Sequence, residues 1–240
     1  MGSIATRALR LKYAVQTLGR AEEPRIFVNS IPKSGTNLIV SLAKAFGRVC
    51  VSGPFIAPRM QAVHLARTGG LVFGHIEMVT GRITDVGLED GMLLVRHPKA
   101  YVASLGRYID ANRRHPAHAQ LAGAAPEVLL MAAIEGIHAG AFYIPPLHDR
   151  YAAYLNNAAQ VGLRVADYDR LLAAPAPSTP EADLLTHLGG PDYVARLDAA
   201  LAMSRKTSTT WRHSKRATRD FSLPDALATH PNLREATALY

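Results

Sequence analysis

The feature that most constrains this chain is residues 26–38, Ile-Phe-Val-Asn-Ser-Ile-Pro-Lys-Ser-Gly-Thr-Asn-Leu, where a short apolar run breaks into a loop of small residues and then becomes helical. Ile26, Phe27 and Val28 are β-branched or aromatic and suit a buried strand; Pro32 and Gly35 punctuate it; Leu38, Ile39, Leu42, Ala43 and Phe46 recur at helical spacing. The stretch therefore reads as strand, tight loop and helix N-terminus. First-turn amides of a helix have no intrahelical acceptor. With the helix dipole, Lys33 and the hydroxyls of Ser34 and Thr36, they make a cradle for a phosphate-like anion. The leading glycine and four-residue spacer of a Walker A loop are missing, so the loop alone leaves an anion cradle and an ordinary βα turn both open.

The rest of the chain repeats the same alternation. Residues 71–76, 91–96 and 161–165 read as further short buried strands, the first two ending in His75 and Arg96. Residues 62–67 and 98–108 carry helical spacing, and 127–143 is the longest apolar run, expected to form one internal helix. Short buried strands alternating with helices predict a three-layer α/β domain, with a central parallel sheet of about four to five strands covered on both faces. One domain over residues 1–240 is expected, because the chain is long enough for one large core. Residues 1–24 form its helical extension; within them 4–19 are amphipathic, suited to packing across the domain or, less commonly, to lying on an anionic membrane. Residues 204–212, with the lone Trp211, read as a basic loop, and a last helical stretch begins at Phe221.

Charge and cysteine content narrow the function class. Lysine and arginine total 27 against 19 acidic residues, a net +8 that favours an anionic ligand without choosing among nucleotide, nucleic acid, sulfated glycan and acidic lipid. The single cysteine, Cys50, excludes an intramolecular disulfide and reads as a small buried hydrophobe. With no signal-peptide core and no run of transmembrane length, a cytoplasmic location is expected.

A parallel sheet brings strand ends to one edge, so Lys33, His75 and Arg96 are expected together. Lysine and loop amides can neutralise a phosphate and the charge developing on a leaving oxygen. Histidine can act as general base near neutrality. Arg96 offers a planar fork to a second anionic group, and Ser104, eight positions on, can add a hydroxyl. No His or carboxylate cluster has metal-ligand spacing, so no metal is expected.

These residues resemble a family. Pro32-Lys33-Ser34-Gly35-Thr36 is similar to the 5′-phosphosulfate loop of sulfotransferases that use 3′-phosphoadenosine 5′-phosphosulfate (PAPS). Arg96-His97-Pro98-Lys99 with Ser104 resembles that family's 3′-phosphate motif, and Phe73-Gly74-His75-Ile76 its histidine-bearing strand end. Tyr168-Asp169-Arg170-Leu171 resembles the adenine-side segment, and Arg205-Lys206 ahead of Trp211 the loop that closes over the nucleotide. The likeness runs in order from about residue 26 to 212. It implies a P-loop-like phosphosulfate loop and in-line sulfuryl transfer from PAPS, with 3′-phosphoadenosine 5′-phosphate (PAP) as product. The acceptor would be a hydroxyl, or less commonly an amine, of a small molecule, glycan or lipid. His75 would be the base, Lys33 would stabilise the bridging oxygen, and Ser34 would hold Lys33 aside until acceptor arrives. Lys33, Ser34, Gly35, Thr36, Asn37, Arg96, Ser104, Tyr168, Arg205 and Lys206 would bind the nucleotide. Leu38 stands where cytosolic members carry a tryptophan against adenine, so the base would be held differently.

Two other classes use the same features. A P-loop kinase would use Lys33 and Thr36 with Mg²⁺ and ATP, but lacks its glycine and a clear strand-end aspartate. A binding relative without chemistry would use the net charge and Arg107, Arg113 and Arg114, which otherwise form a solvated helix face; no nucleic-acid partner is expected, and no oligomeric state follows.

Overall fold

The computed structural model describes residues 8, 11, 15, 18, 25–50, 70–77, 91–173, 175–207 and 219–240. Its centre is β1 (Arg25–Ser30), whose run of apolar residues can be buried only if both faces of the sheet are covered. Strands β2 (Gly70–Gly74) and β3 (Met92–Val95) flank it, both parallel: Val28 is level with Phe73 on one side and Met92 on the other. Two further strands, β4 (Ile137–Ala139) and β5 (Phe142–Ile144), pair only with each other. The last, β6 (Arg164–Asp167), pairs parallel with β3, giving a four-stranded sheet of order β2-β1-β3-β6.

Because side chains alternate along a strand, the sheet feeds two cores. Ile26, Val28, Met92 and Leu94 point to one face. There they pack against α1 (Thr36–Ala45), α7 (Pro180–Gly189) and α8 (Tyr193–Thr207). Phe27, Leu93 and Val95 point to the other, covered by α2 (Pro98–Ala111), α4 (Pro126–Glu135), α5 (Leu147–Val161), α9 (Asp225–Ala228) and α10 (Pro231–Leu239). Short helices α3 (His118–Leu121) and α6 (Tyr168–Leu172) complete the described elements. Among the described residues no helix is long and apolar enough to cross a membrane.

The expected α/β architecture with a parallel sheet flanked by helices is present, with four strands among the described residues. Three local expectations are corrected. The apolar run 127–143 is not one helix: α4 stops at Glu135 and the chain returns as the β4–β5 hairpin. Gly136 stops it at φ 97°, ψ 167°, a conformation open essentially to glycine alone. The strand expected at 161–165 begins instead at Arg164, because α5 runs to Val161 and Gly162 caps it. The basic loop expected from Ser204 is helical through Thr207: Leu197, Ala200, Leu201 and Ser204 are buried at helical spacing, so α8 keeps its packed face to the end.

Cys50 is half-buried, with burial pushing its thiol up to about 11, and makes a single bridge to Leu71 beside β2. Of the N-terminal helix, Ala8, Leu11 and Val15 are helical and exposed; the 62–67 helix and Trp211 lie outside the described residues.

A Cβ at Gly136 would sit 2.8 Å from the Ile144 carbonyl oxygen and 3.0 Å from the Pro146 nitrogen. Gly136→Ala is expected to destabilise the protein by about 2–4 kcal/mol in urea unfolding, combining backbone strain with a clash against backbone. A loss below about 0.5 kcal/mol would show that this tight approach does not matter to stability.

Candidate functional site

The site lies where two chain crossings diverge. After β1 the chain enters α1 on one face of the sheet, and after the adjacent β3 it enters α2 on the other. The carboxyl ends of the strands where they part are the place where open α/β sheets form a ligand crevice. Lys33 follows β1, His75 follows β2, Arg96 follows β3 and Tyr168 follows β6, so the sheet delivers all four to this edge.

The loop after β1 is held tightly. Ser34 N–H donates to the Ile31 carbonyl at 3.0 Å, closing a turn, and Lys33 takes a left-handed φ of 76° that few non-glycine residues adopt. Gly35, at φ 103°, is the α1 N-cap and has no side chain to satisfy the helix amides; no acidic residue stands in the first turn. A Cβ there would fall inside the van der Waals surface of the Tyr168 ring, so glycine is demanded by both conformation and contact. The Ser34 hydroxyl is fully buried with no hydrogen-bond partner. A buried hydroxyl without a partner is costly, and an acceptor supplied from outside would satisfy it.

The cations around it go unanswered. Lys33 Nζ lies 3.6 Å from the Tyr108 ring centroid, and the Arg96 guanidinium stands 4.7 Å from that of Tyr168. Neither Lys33 nor Arg96 has a carboxylate within ion-pair distance among the described residues. Burial, then the charge of Arg96, pushes the Lys33 ammonium down to about 8. The Arg96 Nε is buried without a partner. Arg107, expected on a solvated face, is half-buried; burial and Arg96 lower its pKa, opposed by Asp220. Like charges gathered at one strand edge would favour an anionic ligand.

His75 is positioned by residues the sequence reading passed over. The β1–β2 ladder ends at Asn29 opposite Gly74, where buried Asn29 continues it with its side chain. Its Nδ2 donates to the Ile76 carbonyl at 2.7 Å and its Oδ1 accepts from Ile76 N–H at 2.8 Å. His75 Nδ1 then faces the Ser30 carbonyl at 2.8 Å, which only a protonated Nδ1 can donate to, so Nε2 is the ring nitrogen that carries the lone pair. Nε2 is 3.4 Å from the Thr36 hydroxyl, itself 2.6 Å from the Ser30 hydroxyl. Burial lowers the imidazole pKa, the Ser30 carbonyl opposes this and Lys33 reinforces it, so His75 is neutral at neutral pH.

The remaining expected residues are placed less closely. Ser104 lies on α2 one turn before Tyr108, on the same helical face, and Asn37 is exposed in the first turn of α1. Arg205 and Lys206 belong to the last turn of α8, not to a loop. Ser34 does not hold Lys33, whose ammonium is on Tyr108. His97 caps α2, its Nδ1 accepting from Lys99 N–H at 3.3 Å. β6 does end in an aspartate, Asp167, but its carboxylate caps α6 by accepting from Asp169 and Arg170 N–H, while buried Glu181 accepts the Asp167 N–H at 2.6 Å. Tyr151 donates to the Arg96 carbonyl, fixing that strand end. Among the described residues, no group of three His, Cys, Asp or Glu could hold a metal ion.

Asn29→Ala removes three buried hydrogen bonds and leaves the Ile76 N–H and carbonyl unpaired. The expected cost is about 2–4 kcal/mol by chemical denaturation, with the His75 imidazole NMR signals shifting as its seat loosens. Unchanged stability would mean that water replaces Asn29 at no cost. No protein-family model, no curated protein and no solved structure matches the chain.

Proposed function

We propose that the protein is a sulfotransferase that moves the sulfuryl group of PAPS to an acceptor hydroxyl, or less readily an amine, without a metal. One observation carries this reading: the buried, unpartnered Ser34 hydroxyl lies in a helix N-terminus without a side-chain cap, next to Lys33 and at the strand edge that also carries Arg96 and a histidine whose pKa burial lowers. An anion with negative groups at two separated positions answers the two cations. A neutral base beside them suits attack by a hydroxyl on a group held between.

In this reading residues 32–36 are a P-loop-like phosphosulfate loop, where the amides of the first α1 turn and the Ser34 hydroxyl hold the 5′ side of the donor. Arg96 with Ser104 holds the 3′-phosphate, Arg205 and Lys206 lie on the closing side, and Asn37 lines the entrance. Acceptor oxygen attacks sulfur as the bridging S–O bond breaks. The acceptor proton passes to His75 Nε2, and the charge left on the phosphate oxygen is met by Lys33 and the loop amides. The Nδ1–H bond to the Ser30 carbonyl keeps Nε2 as the proton-accepting atom and stabilises the imidazolium once formed.

The kinase reading is served less well. Thr36, which it needs for Mg²⁺, is turned to Ser30 and His75, and the strand-end Asp167 carboxylate is spent on a helix cap.

Calorimetry with PAP, AMP and ATP tests the nucleotide: PAP is expected to bind tightly without Mg²⁺ and at least tenfold better than the others. Preference for ATP with Mg²⁺ would contradict the proposal. Arg96→Ala should cost PAP about 1.5–3 kcal/mol and leave AMP nearly unchanged, because only PAP loses a charge-assisted contact. His75→Ala should keep PAP affinity and lose sulfuryl transfer to a panel of phenol, sugar and lipid hydroxyls, read by product mass; full transfer by that variant would remove His75 from the mechanism.

A further inference from the structure

We propose that the Tyr108 ring is the resting seat of the Lys33 ammonium, a positioning residue that stands in for a counter-ion and releases the lysine to an arriving anion. The inference rests on the anion-cradle reading of the loop, but on no particular anion.

Lys33 leaves β1 in a left-handed conformation, which aims its side chain across the crevice to α2 and not along its own helix. There the ammonium meets the face of Tyr108 at 3.6 Å from the centroid, well inside cation–π range. The ring is itself braced: His115 packs edge-on against it at 5.5 Å, and Phe142 against His115 at 5.2 Å. The seat is therefore a fixed part of the α2 surface and the β4–β5 hairpin. With no carboxylate paired to Lys33 among the described residues, the aromatic face is its electrostatic partner there. The choice has a chemical consequence. A carboxylate at contact would pair with Lys33 strongly and compete with any incoming anion, whereas a π face stabilises the charge more weakly and yields it.

The titratable groups facing Lys33 are Arg96 beyond β3, His75 beyond β2, and Tyr108 and His115 on and after α2. Burial holds both histidines below the ordinary imidazole value while Lys33 is brought down to about 8, which separates the lysine's titration from theirs. The seat favours the ammonium over the amine. Removing it lowers the Lys33 pKa further, and it also removes what the free protein gives up when an anion takes the lysine.

The two effects separate with pH. Where Lys33 is protonated in all variants, losing the seat tightens anion binding. Where it is deprotonated, the gain is cancelled by the greater cost of protonating it. The test compares the wild type with Tyr108→Phe, which keeps the ring, and Tyr108→Leu, which does not, each checked for native circular dichroism.

Competitive acetylation with peptide mapping across pH reads Lys33 directly. The midpoint is expected near 8 in the wild type and in Tyr108→Phe, and about one unit lower in Tyr108→Leu. Calorimetry with PAP should then show Tyr108→Leu binding about tenfold tighter at pH 6 and equally at pH 9, with Tyr108→Phe matching the wild type at both. A Lys33 midpoint that is unchanged or raised in Tyr108→Leu overturns the seat, as does an affinity ratio that is the same at the two pH values. If none of the three proteins binds PAP, the nucleotide reading fails, while the acetylation midpoints still decide the seat.

Discussion

Lys33 and Arg96 repel each other, and the sheet gives neither an alternative. Each follows a central strand whose neighbours on both sides are hydrogen-bonded, and each strand must bury alternate residues in two different cores. Burying Phe27, Val28 and Leu93 alone contributes about 5–9 kcal/mol, against about 4 kcal/mol for two like charges even at contact in a partly solvated crevice. Hydrophobic burial therefore wins and the charges remain. Burial first, and the charge of Arg96 second, depress the Lys33 pKa, and a bound anion would offset both.

The Ser30 carbonyl gives His75 its direction, because it can only accept and the Nδ1 facing it at 2.8 Å must carry the proton. The Ser30 hydroxyl lies 3.2 Å from the Gly74 carbonyl, 2.6 Å from the Thr36 hydroxyl and 3.1 Å from His75 Nδ1, so the two hydroxyls and the imidazole form one hydrogen-bonded group. His75 Nε2 lies 3.4 Å from the Thr36 hydroxyl at the end of this group. The Nδ1–H bond to the Ser30 carbonyl makes Nε2 the ring nitrogen able to accept a proton.

How much of this was legible varied with the type of signal. Apolar runs bounded by glycine or proline found the four parallel strands and the edge where their ends gather, because burial on both faces leaves a strong pattern. Lys33, His75 and Arg96 were legible as strand-end residues of unusual type. What failed was termination: Gly136 and Gly162 each sit in an apolar or Ala-rich context, where one glycine decides whether a helix continues, and hydrophobic periodicity does not register it. Asn29 and Glu181 were missed for a different reason. Each is a buried polar side chain whose partner is the backbone of a strand end distant in sequence, a pairing that no local pattern encodes. The one available sign of Asn29 was its polarity directly after an apolar run. Tyr108 was read only as a helical spacer, because its link to Lys33 exists only once α2 is folded against the loop.

The position of Tyr168 changes how the missing aromatic at residue 38 is understood. Leu38 is half-buried and packs into the core under α1, so an indole there would have to compete for space with Ile39 and Leu42 at the same helix end. The Tyr168 ring meanwhile comes from the opposite side of the crevice, lies against Gly35 and takes the Arg96 guanidinium on its face. One ring thus fills the place over the loop glycine and links the two cations' surroundings, from an anchor on α6 that Asp167 caps and Glu181 ties to α7. In the proposed reading a base stacking on Tyr168 meets a ring already partnered by arginine, and its stacking is coupled to the group that would hold the 3′-phosphate. Recognition of the base and of that phosphate then becomes a single event at Arg96, because moving the ring uncovers the guanidinium.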